Sequence, residues 1–235
     1  MDSTIIISRY NEDIQWFNDL NTFSKKIIYN KGPKLNSSRN IEIINLPNVG
    51  RESHTWLYHI VKNYKTLSSY NVFLQGRIDD LGCMSFNDPN DYLLKLKRNS
   101  FVTSRFGLLG PYHWKKNLGI ENDIRYKDDW EKGNISRNKN GFRKYAKKFF
   151  RDIPLITATS YGGCFGVTKK SITNLDKNLY INLLKTVSNH SHPIEAHYLE
   201  RLWCYMFSKN TFLYKAFFDV VKTKIERRLT INFGI

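Results

Sequence analysis

Apolar residues follow two rhythms along this chain. Short apolar-rich runs, at residues 5–7, 26–29, 41–46 and 71–75, alternate with stretches where apolar residues recur every three or four positions. The first rhythm marks strands buried on both faces and the second marks amphipathic helices. After the run at 5–7 comes the polar cluster RYNED, then a helical pattern through Ile14, Trp16, Phe17 and Leu20, with Asn11 as a predicted N-cap. NKGPK closes the second run, residues 34–40 are polar loop, and Pro47 stops the third run. In NVGRESHTWLYHIVKNY, Leu57, Ile60, Val61 and Tyr64 fall on one helical face, with Gly50 as the hinge before it. The first eighty residues thus predict strand, helix, strand, strand, helix, strand, which argues for a mainly parallel α/β sheet.

The second half is less regular. NDPNDYLLKLKR and FRKYAKKFF predict helices. Residues 107–140 lack a sustained period and read as a long active-site loop. Residues 155–159 and 164–167 predict strands on either side of Gly162 and Gly163. SITNLDKNLYINLLKTV and HPIEAHYLERLWCYMF predict helices, with Pro193 in the first turn of the latter. Residues 210–235 predict an amphipathic, basic helix carrying Tyr214, Phe217, Phe218, Val221 and Ile225 on one face. There is no internal repeat. The expected organisation is one domain over residues 1–209 with this helix packed on it or appended.

Charge narrows the partners. The chain has 37 Lys+Arg against 21 Asp+Glu, a formal net charge of +16 over 235 residues. Such a surplus favours anionic partners: nucleic acid, phosphorylated small molecules or an anionic membrane surface. Cys83, Cys164 and Cys204 are far apart and in no CxxC pair, so neither a disulfide framework nor a zinc site is expected, and a reducing compartment is. No signal-peptide pattern and no apolar run near membrane-spanning length occurs, which points to a cytoplasmic protein, at most peripheral to a membrane.

Several clusters could carry chemistry, each with a plainer alternative. Arg9, Tyr10, Asn11 and Asp13 follow the first strand, where open α/β sheets bind ligands. Tyr10 could stack on a base and Asn11 or Asp13 bond a ribose, or the cluster simply caps a helix. Arg51, at a Gly-hinged helix start, could grip a diphosphate or pair with Glu52 in solvent. Asp79 and Asp80, past the strand ending at Gln75, could hold a divalent cation or form a turn. Glu195 sits in register with Leu199, Leu202 and Met206. Taken as the third helical residue after an N-cap at His192, it is either a general base or a capping glutamate. Gly162 and Gly163 suggest a close backbone approach or a bulge. FRKYAKKFF and the C-terminal helix could meet nucleic acid or anionic lipid, or be solvated faces over a core. No Walker A loop, no GxGxxG and no nucleic-acid motif is present.

The order of these blocks is more specific than any one of them. RYNED, YNKG, NVGRE, FLQG and YLERLW, together with YGGCFG, resemble the glycosyltransferases of the GT-A fold, and within them a poorly characterised family, from about residue 5 to residue 207. The resemblance implies a three-layer α/β/α fold around a nucleotide-sugar site. Arg9, Tyr10, Asn11 and Asp13 would line the nucleoside pocket, with Arg51 beside it or at the diphosphate. The end of FLQ would replace the fold's Asp-x-Asp metal motif, and Gly162 and Gly163 would lie beside the donor sugar. Glu195 would be the base that deprotonates an acceptor hydroxyl. The sequence departs from that pattern where Gln75 and Arg77 stand in place of the two acids. Either Asp79 and Asp80 take over as ligands of Mn²⁺ or Mg²⁺, Asp80 then serving catalysis, or Arg77 neutralises the diphosphate with no metal. The expectation is an enzyme moving a sugar from a UDP- or GDP-sugar to a glycan or other hydroxyl acceptor. Its rivals are an inactive relative that binds a glycan or partner and, third, a basic nucleic-acid-binding protein, although no specific nucleic acid is expected.

Overall fold

The computed structural model describes residues 1–36, 40–78, 88–103 and 105–208. Its elements run in the order β1 (Ser3–Arg9), α1 (Gln15–Asn18), β2 (Lys25–Asn30), β3 (Glu42–Asn45), α2 (Arg51–Asn63) and β4 (Tyr70–Gln75). Then come α3 (Asn90–Leu96), β5 (Phe101–Thr103), β6 (Phe106–Leu109), α4 (Lys127–Glu131), α5 (Gly141–Phe149), β7 (Thr157–Ser160) and β8 (Phe165–Thr168). The described chain ends with α6 (Lys169–Thr173), α7 (Lys177–Thr186) and α8 (Ile194–Ser208). Among the described residues the main sheet has the order β3-β2-β1-β4-β8-β5. Its β1–β2, β2–β3 and β1–β4 pairings are parallel and β8 is antiparallel to both neighbours.

Alternation along the strands splits the core into two layers. Ile6, Ile27 and Phe73 point to one face, where Trp56, Leu57 and Ile60 of α2 pack with Tyr180 of α7 and Leu199 and Trp203 of α8. Ile5, Ile7, Val72 and Leu74 point to the other, against Phe17 of α1 and Tyr92, Leu93 and Leu96 of α3. The fold is therefore mixed α/β, with a mainly parallel sheet between helical layers, as the strand and helix rhythm predicts.

Four details differ from the sequence reading. Residues 107–140 are not a structureless loop: β6 pairs with β7 in a second small sheet, and Leu109, Trp114, Ile120 and Ile135 are buried in the core. Their apolar positions are too widely spaced to show a period. SITNLDKNLYINLLKTV is two helices, because Asp176 interrupts it and caps α7 by accepting the Asn178 N–H at 2.6 Å. Asn11 does not cap α1; Asp13 accepts the Gln15 N–H at 2.9 Å instead. Cys164 is disulfide-bonded, which the sequence reading did not anticipate, and Cys204 is a buried free thiol. The C-terminal segment, residues 210–235, and the pair Asp79 and Asp80 lie outside the described residues. Among the described residues no helix is long and apolar enough to cross a membrane.

Candidate functional site

The strand order reverses at β1: the chain moves outward to β2 and β3, then returns to place β4 on the other side. Such a switch point leaves a crevice beyond the carboxyl ends of the strands. A cleft of 390 Å³ opens there, lined by Ser8 and Arg9 of β1, Gln75 of β4 and the residues following them, by Lys31 after β2, and by Arg51 and Glu52 at the start of α2. Among the described residues, Arg9, Lys31, Arg51 and Arg77 face two carboxylates, Glu12 and Glu52, so this part of the lining carries excess positive charge and suits an anion.

The turn into α2 is strained. Gly50 and Arg51 are both left-handed, at φ 62° and 49°. For a residue with a side chain that costs about 1 kcal/mol or more, and such strain concentrates at functional sites. Lys31 holds the turn by donating to the carbonyls of Val49, at 2.6 Å, and Arg51. Burial pushes the Lys31 ammonium down to about 7, against the pull of Glu52, so it is half-charged near neutrality. The Arg51 side chain is 35% exposed and reaches the cleft, with Glu52 at 3.5 Å favouring its charge.

Gln75 has a role that an acid could not fill. Its amide Nε2 donates to the Gly162 carbonyl at 3.0 Å, whereas a carboxylate offers no proton there. The Gly162 N–H donates to Glu200 at 2.6 Å, and Trp56 Nε1 donates to the Gly163 carbonyl at 3.0 Å. Gly162 and Gly163 thus buttress the cleft from behind, outside its lining. Arg9 donates to the Glu12, Tyr10 and Pro33 carbonyls and to Asn30 Oδ1, all neutral acceptors, so it shapes the RYNED loop without losing its charge. Tyr10, 49% exposed, and Asn11 line the cleft with Arg77. Asp13 lies in the adjoining hollows instead.

Glu195 is not part of this cleft. It is the second residue of α8, half-buried, and accepts from Asn138 Nδ2 at 2.6 Å. The residue α8 sends toward the site is Glu200, through Gly162 as described. A second connection runs through histidines: Arg51 Nη1 donates to His192 Nε2 at 3.0 Å, and His192 and His197 meet Nε2 to Nε2 at 2.7 Å. Arginine only donates, so His192 Nε2 accepts and His197 Nε2–H is the second donor. Both rings are held neutral, His192 down at about 4 and His197 well below its ordinary value, by burial first and then by neighbouring arginines. Sequence reading assigned no site role to Lys31, Glu52, His192, His197 or Glu200. Lys31 carried a faint signal, as a lysine directly after a buried strand. The histidines carried none, because their partner Arg51 is 141 positions away from His192.

Asp79 and Asp80, the expected metal ligands, lie outside the described residues. Among the described residues no group of three or more His, Cys, Asp or Glu side chains could hold a metal. Glu12 and Glu52, the carboxylates at hand, are each engaged locally and stand among four cations. The family model for a protein of unknown function, DUF3431, matches residues 5–218. The chain belongs to this family. The DUF3431 match takes in every residue of the cleft, along with Glu200 and the two histidines. No curated protein and no solved structure matches the chain.

Proposed function

We propose that the protein is a nucleotide-sugar-dependent glycosyltransferase. The observation that carries this reading is the cleft at the β1–β4 switch point, where Lys31, Arg51 and Arg77 meet beside the exposed ring of Tyr10. A nucleoside diphosphate matches it: phosphates on the cations and a base within reach of an aromatic face. Charge that develops on the departing diphosphate is stabilised by groups already in place. The block order resembling GT-A glycosyltransferases supports the sugar as the group transferred, with a hydroxyl-bearing glycan as acceptor. Calorimetry against a panel of UDP- and GDP-sugars, with Mn²⁺ and with EDTA, tests it. At least one donor is expected to bind, and to bind equally in EDTA, since the cations replace the metal. Loss of binding in EDTA would assign Asp79 and Asp80 the metal role. Failure of every donor would leave the rival reading, a scaffold that binds glycans without transferring sugar, which the half-buried Gln75, held by its bond to the Gly162 carbonyl, accommodates equally.

Lys31 makes that binding pH-dependent. A bound diphosphate favours the charged amine and raises its pKa above the free value of about 7. Affinity is therefore full below pH 7 and falls above it, by up to about tenfold per pH unit. Calorimetry in two buffers of different ionisation enthalpy at pH 8 should record uptake approaching about one proton per nucleotide. Lys31→Met should weaken binding and flatten the slope; an unchanged slope would assign the proton elsewhere.

A further inference from the structure

A second hollow of 570 Å³ adjoins the cationic cleft, and Asn11, Glu12 and Arg77 line both. Its own side is formed by Trp16, Asp13 and Gln15. The Trp16 ring is half-buried and fixed at two points: Nε1 donates to the Gly76 carbonyl at 3.1 Å, and Phe17 meets it edge-on with centroids 5.6 Å apart. Its indole N–H is thereby spent, and its apolar face is what it has left to offer. Around it stand two carboxylates, two amides and a guanidinium, a mixture of donors and acceptors at the edge of an aromatic plane.

Glu12 is the wall between the two spaces. Its Oε2 accepts the Tyr10 N–H at 2.6 Å, which sets the side chain against the end of β4. That approach needs Gly76: a Cβ there would lie 2.9 Å from Oε2 and 3.1 Å from the Glu12 Cβ. Glycine after Gln75 therefore lets a carboxylate stand between a phosphate-binding cleft and an aromatic hollow.

We infer that the Trp16 hollow is a saccharide acceptor subsite and that Glu12 is the base serving it. This rests on the transferase reading above. A sugar ring presents a C–H face, which packs on an indole, and a rim of hydroxyls, which pairs with carboxylates and amides. In the transfer step Glu12 takes the proton from the acceptor hydroxyl. That oxygen forms its new bond to the anomeric carbon of the donor. The bond from that carbon to the diphosphate breaks, and its electron pair leaves on the nucleoside diphosphate, held by Arg51 and Arg77. One proton moves and no oxidant or reductant is required.

Saturation-transfer NMR with lactose, cellobiose, maltose and chitobiose, alongside calorimetry with the nucleotide-sugar panel, tests the inference. At least one disaccharide is expected to bind wild type, to lose affinity about tenfold or more in Trp16→Ala and to keep it in Trp16→Phe. Nucleotide affinity in Trp16→Ala should stay within about twofold, which also shows the variant folded. Glu12→Gln should keep both ligands while transfer to the bound disaccharide falls about 10²-fold or more. Binding of none of the four sugars, or equal binding by Trp16→Ala, overturns the subsite. Full transfer by Glu12→Gln overturns the base. Disaccharide binding at Trp16 with no nucleotide binding at all would support the subsite, overturn the base and refute the transferase reading, so the failures are distinguishable.

Discussion

Arg51→Gly is expected to lose diphosphate binding while the protein stays folded. Truncating a partly desolvated charge at its ligand costs about 2–5 kcal/mol, or roughly 30-fold to several thousand-fold in affinity. Stability should move little because two effects offset. Arg51 sits at φ 49°, where glycine relieves about 1 kcal/mol of strain. Against that, the variant loses the contacts to Glu52 and His192 and gains unfolded-chain entropy. A melting temperature within about 4 °C of wild type, with binding gone, is the expected pair of results. Retained affinity would remove Arg51 from the site. A collapsed melting temperature would show that its role is structural. A residue that spends stability to present a guanidinium is what a functional role predicts, and Arg51→Lys, keeping charge without the fork, should recover only part of the affinity.

The second large effect is acid unfolding. His54, His59, His192 and His197 are all held neutral by burial, His54 and His192 down at about 4 and His59 at about 3. His54 has the least help, since its buried Nδ1 has no hydrogen-bond partner and Lys31 lies near. His59 Nδ1 is fully used, accepting from Asn63 at 3.3 Å and facing the Tyr29 hydroxyl at 3.0 Å. A histidine whose folded value lies below its unfolded one gains its proton more readily in the unfolded chain. Stability is therefore present above about pH 6.5 and is lost as pH falls toward 4. His54, His59 and His192 each withdraw on the order of 3 kcal/mol by pH 4, and His197 acts in the same direction, against a total near 5–15 kcal/mol for a domain. A cooperative loss of near-ultraviolet ellipticity is expected at roughly pH 4–5, moved to lower pH in His54→Gln. A protein that stays folded to pH 3 would show that these rings find partners on protonation.

The candidate site was legible in part. RYNED, NVGRE and FLQG each mark a chain segment that does reach the cleft, because strand ends and helix starts announce themselves through runs, glycine and proline. The catalytic assignment to Glu195 followed helical register and the resemblance to GT-A glycosyltransferases. Register tells which residues share a face, not which neighbour that face meets, and Glu195 meets Asn138 while Glu200 meets Gly162. Gln75 looked like a degraded metal ligand. Its carbonyl partner at Gly162, 87 positions away, gives it a reason that no local pattern holds.

The sequence by itself determined the strand and helix alternation, the parallel first half of the sheet and the positive field, since these follow from side-chain period and charge count. Only the tertiary structure decided which residues share the cleft. Strand order is set by crossovers that bring Lys31 and Arg51 together, then Gln75 and Arg77, and that leave Glu12 between two hollows. Those encounters span tens of positions, and the free energy that selects them lies in packing the two helical layers onto the sheet. A local window contains none of it.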